Sequence, residues 1–467
     1  MTAEPDKSTE LDEPAKPAHT TEPDETRETD VPEVLGLPDE PPAFPFPHPP
    51  SPRPPARFAE MTGEPGLPRV VLSNGASALL VSRYAEVRAV LSDDRFSRAS
   101  FTGKPMFARS SSSLALATSD PPVHSRRRQA VAAEFTARQA RETAPWLRDL
   151  AASSASRLRT LPQPADLVEE FTVPFALRTA TEQLGLPYDD AVKLRPAMAV
   201  MMSFGSHTSE EVAAAHAEVH EYFEDLVARR LYEAAAGHPN DDLLTRLLLG
   251  RGAGRLSHEE VAVFGSGLLM AGFDTTSRQL AMAVLMVLRD PALTARLREQ
   301  PAALAPALEE ILRWSSLIAT GGAPHVALED VRLGDVLVPA GEVVVPLAAA
   351  ANQDASVFTD PDRFDPGRED NPHIAFGHGR HYCLGAPMAR LQLEVGMTAL
   401  LAEFAILRLA VPEDHVQWTT GQFIRGPLAL PVRWDGEGWL GTDSPARQST
   451  ETASGCPWSP DRGSEEP

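Results

Sequence analysis

Cys383 stands in a glycine-rich segment, Phe376-Gly-His-Gly-Arg-His-Tyr-Cys383-Leu-Gly385, and is one of two cysteines in the chain. A deprotonated cysteine sulfur binds soft or redox-active metal ions. Glycines beside it let the backbone approach a flat ligand closely, because they carry no Cβ. An apolar, helix-forming stretch follows from Leu384 to about Phe404, with Pro387 in its first turn. The pattern therefore predicts a sulfur at a helix N-terminus, where free amides and the helix dipole favour an anion.

Two other interpretations of this cysteine remain open from the residues alone. A lone cysteine near a glycine-rich turn is commonly a buried structural thiol. A zinc site fits less well, because His378 and His381 have no second thiolate nearby to complete four ligands. The spacing F-G-x-G-x-H-x-C-x-G, which fixes six positions in ten, favours a specific ligand loop.

A second candidate site is the segment Ala271-Gly-Phe-Asp274-Thr275-Thr, inside a helix that carries no charge from Val261 to Phe273. A carboxylate in such a place is costly unless it is paired or functional. One interpretation is structural: Thr275 donates back to a carbonyl four residues earlier, and Asp274 pairs with Arg278 at i+4. The other is that an acid and an alcohol carry protons into a dry site.

Two further pairs are spaced for one helix face. Asp120-Pro-Pro predicts a helix N-cap, after which His124 and Arg128 fall at i and i+4. Such neighbours suit a carboxylate ligand, although a solvated basic face has the same pattern. Glu310 and Arg313 form an i, i+3 pair, which on an ordinary helix stabilises by only about 0.2–0.5 kcal/mol.

In their order along the chain, the four motifs resemble those of the cytochrome P450 family, the haem-thiolate monooxygenases. The resemblance implies that the cofactor is haem b (iron protoporphyrin IX) and that Cys383 is the axial ligand of its iron. It also implies that histidine and arginine side chains bind the haem propionates. The resemblance assigns cofactor binding to Cys383, His124, Arg128, His325, His381, Phe376, Gly377 and Ala271.

The resemblance also assigns catalytic roles. Ala271 would leave room for dioxygen beside the iron, Thr275 would hold a water or peroxide, and Asp274 would relay protons. Where many relatives have an arginine, this chain has His325, whose charge we expect to depend on pH near neutrality. That difference predicts weaker haem retention at alkaline pH.

Structural roles follow from the same resemblance. Glu310 and Arg313 would lock to Arg363, in the segment Pro361-Asp-Arg363-Phe364, and hold the haem loop in shape. Arg126, Arg127 and Arg390 would form a basic patch where electron donors dock. The predicted donors are a ferredoxin and a ferredoxin reductase.

Composition predicts one folded domain between two tails. Residues 1–40 carry 13 acids against three bases, which accounts for −10 of the net charge of −22. We predict a disordered, acidic, proline-rich tail over 1–42, a cytochrome P450 domain over 43–440 and a disordered tail over 441–467 that contains Cys456. The acidic balance argues against nucleic acid. Without a membrane-spanning apolar run or a secretory signal, the sequence predicts a cytoplasmic protein.

The fold class predicted is mainly α, an α+β arrangement with small β-sheets around a single haem-binding domain. Strands are predicted at Arg69 to Leu72, at Ala78 to Val81 and between Val331 and Val345. A helix of about 32 residues is predicted from Ser257 to Arg289, with Ser257 and Glu260 as a capping box.

The expected reaction is hydroxylation or epoxidation of a small hydrophobic metabolite with O2, in secondary metabolism. Oxidative coupling or ring closure without oxygen insertion is the alternative, and a non-catalytic haem sensor is a third hypothesis. We define the wall segments as the loops expected to line the substrate pocket. They are Phe101 to Thr118, Met201 to Thr208, Leu317 to Gly322 and Gln422 to Ile424, with Phe107, Phe204 and Phe423 as candidate contacts.

Overall fold

Helices form most of the protein, as the sequence predicts. The computed structural model describes residues 41–101, 114–204, 206–250 and 256–434. From Pro42 on, the described residues form one compact unit. The α-helices in these ranges are α1 Ala56–Gly63, α2 Tyr84–Ser92, α3 Val123–Ala132, α4 Ala137–Arg159, α5 Val173–Leu184, α6 Tyr188–Met201, α7 Ser209–Ala235, α8 Leu243–Leu248, α9 His258–Leu288, α10 Pro291–Glu299, α11 Leu304–Trp314, α12 Ala348–Ala351 and α13 Ala386–Glu403.

The strands are short and group into small sheets, again as predicted. They are β1 Ala43–Phe44, β2 Arg69–Leu72, β3 Ser77–Val81, β4 Phe96–Ser97, β5 Ala165–Asp166, β6 His325–Ala327, β7 Val331–Leu333, β8 Val336–Val338, β9 Val343–Pro346, β10 Leu407–Leu409 and β11 Pro431–Trp434. The largest sheet has the order β1-β2-β3-β9-β6-β4, and two others have the orders β10-β11-β5 and β7-β8. No helix in the described ranges is both long and apolar enough to cross a membrane.

Helix α9 is the central element and confirms the predicted capping box. Ser257 accepts from the Glu260 amide at 3.1 Å, and the Glu260 carboxylate accepts from the Ser257 amide at 2.9 Å. Residues 280–287 are buried on every side, because α9 packs against α5, α7 and α13. Ala271, in contrast, is exposed in the middle of this helix.

Strands β4 and β6 bring two distant segments together. They pair antiparallel, with Phe96 opposite Ala327 and Ser97 opposite Val326. The next positions along the two strands, Arg98 and His325, are therefore cross-strand neighbours, although 227 residues separate them in the chain.

Arg425 connects the segment of residues 49 to 52 to the loop after α11 through hydrogen bonds. Its guanidinium, in a residue only 3% exposed, donates to the carbonyls of Pro49, at 2.6 Å, and Ser51. It also donates to the carbonyls of Pro52 and Ser316. All four acceptors are backbone carbonyls, so Arg425 binds main chain rather than side chains.

Apart from residues 41 and 42, the two predicted tails lie outside the described residues, as do Cys456, Phe107 and most of the first wall segment. The boundaries proposed for the domain and for the tails therefore stay predictions.

Candidate functional site

The Cys383 loop has the closed shape that its glycines predict. The Cys383 amide donates to the Phe376 carbonyl at 2.8 Å, and Gly377 and Gly379 have φ of +75° and +68°. A Cβ at Gly379 would collide with the Leu91 carbonyl, so only glycine fits there. Helix α13 begins three residues after the cysteine. The predicted helix N-terminus next to the sulfur is thus confirmed.

Opposing influences act on the Cys383 thiol. Burial raises its pKa, while hydrogen bonds from the Gly385 and Ala386 amides and the charges of Arg128 and Arg390 lower it. A sulfur anion there is stabilised by amides and cations but poorly solvated, a setting that suits coordination to a metal cation. In the described part of the chain, no three His, Cys, Asp or Glu side chains converge as a metal site.

His124 of α3 packs against His381 of the cysteine loop. Their ring centroids are 4.2 Å apart, and His124 is 2% exposed. Burial, followed by the charges of Arg128 and Arg380, lowers the pKa of His124 to about 4. Among the described residues its buried Nε2 has no hydrogen-bond partner. A buried nitrogen of this kind needs a polar ligand group, and a haem propionate would supply one.

His325 is held in one tautomer by two contacts. Its Nδ1 lies 2.9 Å from the Ala323 carbonyl, to which it can only donate, and its Nε2 accepts from Arg98 Nε at 3.1 Å. Burial, and then the charge of Arg98, lower the pKa of His325 well below its ordinary value. The sequence-based expectation that His325 changes charge near neutrality is therefore wrong in this structure. Instead of carrying a charge itself, the His325 imidazole orients the Arg98 guanidinium.

Arg98 is a site residue that the sequence motifs did not indicate. The Asp120 carboxylate accepts from the Ser97 hydroxyl and from the amides of Arg98, at 3.1 Å, and Ala99, at 3.3 Å. Asp120 therefore anchors the β4 end and does not cap α3 with its side chain, which corrects the N-cap prediction. The guanidinium of Arg98, which donates to His325, and the imidazole of His124 are both donor groups that suit an anionic ligand. These donors fit the carboxylates of haem.

The acid and alcohol of α9 are each engaged within the protein. Thr275 Oγ1 donates to the Ala271 carbonyl at 2.5 Å, and the Asp274 carboxylate lies 3.4 Å from Arg278 Nε. Burial raises the pKa of Asp274, an effect that the charge of Arg278 opposes. Arg278 in turn donates to the Pro427 carbonyl at 2.7 Å. The contacts of the structural interpretation are thus present, while the functional roles of both side chains stay predictions. The lone pairs of Thr275 remain available.

The Glu310–Arg313 pair is fully buried and has a partner other than the predicted one. Arg313 donates from Nε and Nη2 to the Glu310 carboxylate, both at 2.8 Å. The second guanidinium that binds Glu310 is that of Arg368, at 3.1 Å. Arg363 contributes only its backbone carbonyl to Arg313, while its side chain is 68% exposed and pairs with Asp365. The assignment of Arg363 was therefore wrong.

The predicted basic patch is largely neutralised. Arg126 and Arg127 both bind the Glu260 carboxylate, the second through Nε at 2.8 Å. Arg390 binds Glu309 at 2.7 Å. Two carboxylates thus offset three cations, which the sequence could not indicate because both glutamates come from other helices.

Backbone hydrogen bonds join the three described wall segments. The Phe423 amide donates to Met202 at 2.7 Å, and the Phe204 amide donates to Gly421 at 2.6 Å. The Ala319 amide donates to Phe423 at 3.0 Å. The rings of Phe204 and Phe423 meet edge to face, with centroids 5.9 Å apart. Two isolated bridges, Ser203 with Gln422 and Ile318 with Ile424, complete the connection.

Comparisons with known proteins point to one family. The family model described as Cytochrome P450 matches residues 189–428. Nocardicin C N-oxygenase of Nocardia uniformis subsp. tsuyamanensis is 40% identical over 381 residues, which cover 81% of this chain and 94% of the relative. Mycinamicin IV hydroxylase/epoxidase of Micromonospora griseorubida is 38% identical over 381 residues, covering 81% and 95%. The crystal structure of cytochrome P450mel 107F1, described as having biaryl coupling reactivity, is 36% identical with a TM-score of 0.77, covering 81% of this chain and 96% of that one.

Proposed function

The chain belongs to the cytochrome P450 family and is an oxidoreductase of that family, and we propose that it inserts one oxygen atom from O2 into a small hydrophobic metabolite. The observation that carries the proposal is the closed cysteine loop, which puts the Cys383 sulfur at the start of α13. Burial raises the pKa of Cys383, and nearby amides and cations partly offset that rise. Relatives named as an N-oxygenase and as a hydroxylase/epoxidase act on products of secondary metabolism, and they support hydroxylation or epoxidation in such a pathway.

The proposed cofactor is haem b, with Cys383 as the ligand of its iron. Phe376 and Gly377 would shape the loop that holds the haem, and the exposed Ala271 on α9 would leave room for dioxygen. The propionates are bound by His124, Arg128, His381 and Arg98, which His325 orients. When bound, a haem with a thiolate ligand activates dioxygen for cleavage of its O–O bond.

The protein's own part in this reaction is to position substrate and to move protons. Thr275 commits its hydroxyl proton to Ala271, so its oxygen accepts a hydrogen bond and holds a water in place. Asp274 has a raised pKa because of burial, which makes it easier to protonate and so able to pass a proton inward. Arg278 keeps the carboxylate oriented between these events.

The proposed electron donors are a ferredoxin and its reductase, and the proposed location is the cytoplasm. Because Glu260 and Glu309 offset Arg126, Arg127 and Arg390, docking at this face depends on shape and contact area more than on net charge. The proposed domain spans residues 43–440 between tails over 1–42 and 441–467.

Oxidative coupling of two carbons is the second candidate function. A similar solved structure is described as having biaryl coupling reactivity, and the intact Asp274–Thr275 pair is compatible with either outcome. Product mass separates them, since insertion adds one oxygen atom and coupling removes two hydrogens.

The experiment that tests the proposal is the absorption spectrum of the purified, reduced protein under carbon monoxide. A thiolate-bound haem band in the wild type and its loss in Cys383→Ser are expected. A spectrum unchanged by Cys383→Ser would overturn the proposal. A compound that shifts the ferric Soret band is then offered with a surrogate ferredoxin and reductase, and absence of any turnover would favour the haem-sensor hypothesis.

A further inference from the structure

A second charge cluster, formed by Glu309, His373, Tyr382 and Arg390, lies next to the Glu310 network. The Arg390 guanidinium donates to the Glu309 carboxylate through Nε at 2.7 Å and Nη2 at 2.9 Å. Its Nη1 donates to the Tyr382 hydroxyl at 3.2 Å. His373 accepts from the Ala375 amide at Nδ1, so its Nε2 carries the proton that it donates to Glu309 at 2.9 Å. Three hydrogen bonds thus fix the position of the Arg390 guanidinium, and His373 holds its carboxylate partner in place.

This cluster holds Phe376, the first residue of the cysteine loop. The Arg390 guanidinium lies 4.5 Å from the centroid of the Phe376 ring, within the range of a cation–π interaction. The rings of His373 and Tyr382 are 6.4 Å and 6.5 Å from it. The carbonyl of Phe376 accepts from the Cys383 amide. Arg390 therefore positions the residue that closes the loop around the sulfur.

The charge of Arg390 also reaches the sulfur. Burial is the largest influence on the pKa of Cys383 and raises it, while the charges of Arg128 and Arg390 act in the opposite direction. Of these, Arg390 has a carboxylate paired with it, that of Glu309, while Arg128 forms no hydrogen bond or ion pair with any other described residue. Glu309 thus attenuates the field of one of the two cations that stabilise the sulfur anion.

We propose that the Glu309–Arg390 pair tunes how strongly the Cys383 thiolate donates electrons, with Arg390 as a positioning residue and Glu309 as the group that limits its charge. The inference rests on the proposed function, because it concerns the thiolate as a haem ligand. Neighbouring charge is one of the means by which a protein sets the reduction potential of such a site.

The test is the ferric–ferrous reduction potential of the substrate-free holoenzyme, measured by spectroelectrochemistry. A positive charge near the sulfur favours the reduced state, so Arg390→Gln should lower the potential and Glu309→Gln should raise it. Each shift should be roughly threefold to tenfold in the ferrous-to-ferric ratio at fixed applied potential, and tenfold corresponds to about 59 mV for one electron. The double variant Glu309→Gln/Arg390→Gln should return close to the wild type, because the two charges cancel.

Arg298→Gln is the matched control. Arg298 donates to the carbonyls of Leu401 and Phe404 at the other end of α13, so its loss loosens the same helix without changing the field at Cys383. Shifts of the same sign in both single variants, or shifts no larger than that of Arg298→Gln, would overturn the inference. A preparation without a thiolate-bound haem spectrum would instead overturn the proposed function, so the two failures are distinguishable.

Discussion

Arg98 Nε donates to His325 Nε2 across the antiparallel β4–β6 pair, at 3.1 Å. Position 325 thus carries an acceptor that orients a guanidinium from the neighbouring strand. We expect Arg98→Ala to accelerate haem loss roughly tenfold or more, because a hydrogen bond to a charged group contributes about 1.5–3 kcal/mol. Transfer of haem to excess apomyoglobin measures the rate.

The cross-strand arrangement supplies its own control. His325→Arg in the Arg98→Ala background moves the guanidinium to the other strand and should restore retention. Because burial and Arg98 keep the pKa of His325 well below its ordinary value, the wild-type rate should be flat between about pH 6 and 9. A loss rate that rises over that range, or no recovery in the double variant, would contradict this account.

Arg368 and Arg363 should differ sharply in their effect on stability. Arg368→Gln removes a 9% exposed cation from the buried Glu310 carboxylate, and we expect the free energy of unfolding to fall by about 1.5–3 kcal/mol. Arg363→Gln changes a side chain that is 68% exposed, and its effect should stay within about 0.5 kcal/mol. Urea unfolding of the holoenzyme measures both, and equal effects would restore the original assignment of Arg363.

Phe423→Ala should speed entry of large ligands. The Phe204–Phe423 contact helps to close the wall segments, and an aromatic pair is worth about 0.5–1.5 kcal/mol, which corresponds to about two- to tenfold in rate. Stopped-flow association of 4-phenylimidazole with the ferric haem should accelerate by that factor, whereas cyanide should be unaffected. Phe135→Ala, which breaks a comparable edge-to-face pair with Phe264, is the control. Equal acceleration of cyanide would show a general loosening instead.

Glu260 should contribute stability that depends on pH. Burial alone would raise its pKa, but hydrogen bonds from Arg126, the Ser257 backbone and Arg127 outweigh it and lower the pKa to about 2. A depressed folded-state pKa contributes stability above the unfolded value, about 4.3, which is lost as pH falls towards the folded value. The difference in unfolding free energy between wild type and Glu260→Gln should therefore be full at pH 7 and shrink between about pH 4.5 and 2. A difference independent of pH would contradict the role of the charge.

Local signals in the sequence predicted much of the site correctly. The capping box at Ser257, Pro387 at the start of α13 and the i, i+3 spacing of Glu310 and Arg313 each depend on residues within one turn of helix. The roles inferred from the family motifs stay predictions, but their geometry is compatible with them.

The errors came from pairings between distant segments. Arg98 contacts His325 only because β4 pairs with β6. No local sequence pattern predicts a contact between residues that are 227 positions apart. Arg368 and Arg363 both lie near the predicted partner motif, and which guanidinium turns inward depends on the path of the loop. Glu260 was recognised as a cap, yet its simultaneous contact with Arg126 and Arg127 required the packing of α3 against the start of α9.

Because Arg425 binds main-chain oxygens, it constrains the backbone path of residues 49 to 52 more than their identities. Because the guanidinium recognises carbonyls, which every amino acid possesses, the identities of residues 49 to 52 are free to drift provided that the path of the backbone is kept. Prolines suit such a path since they restrict it in advance. Substitutions in this segment that keep the backbone path should therefore be tolerated, whereas loss of Arg425 should release the segment.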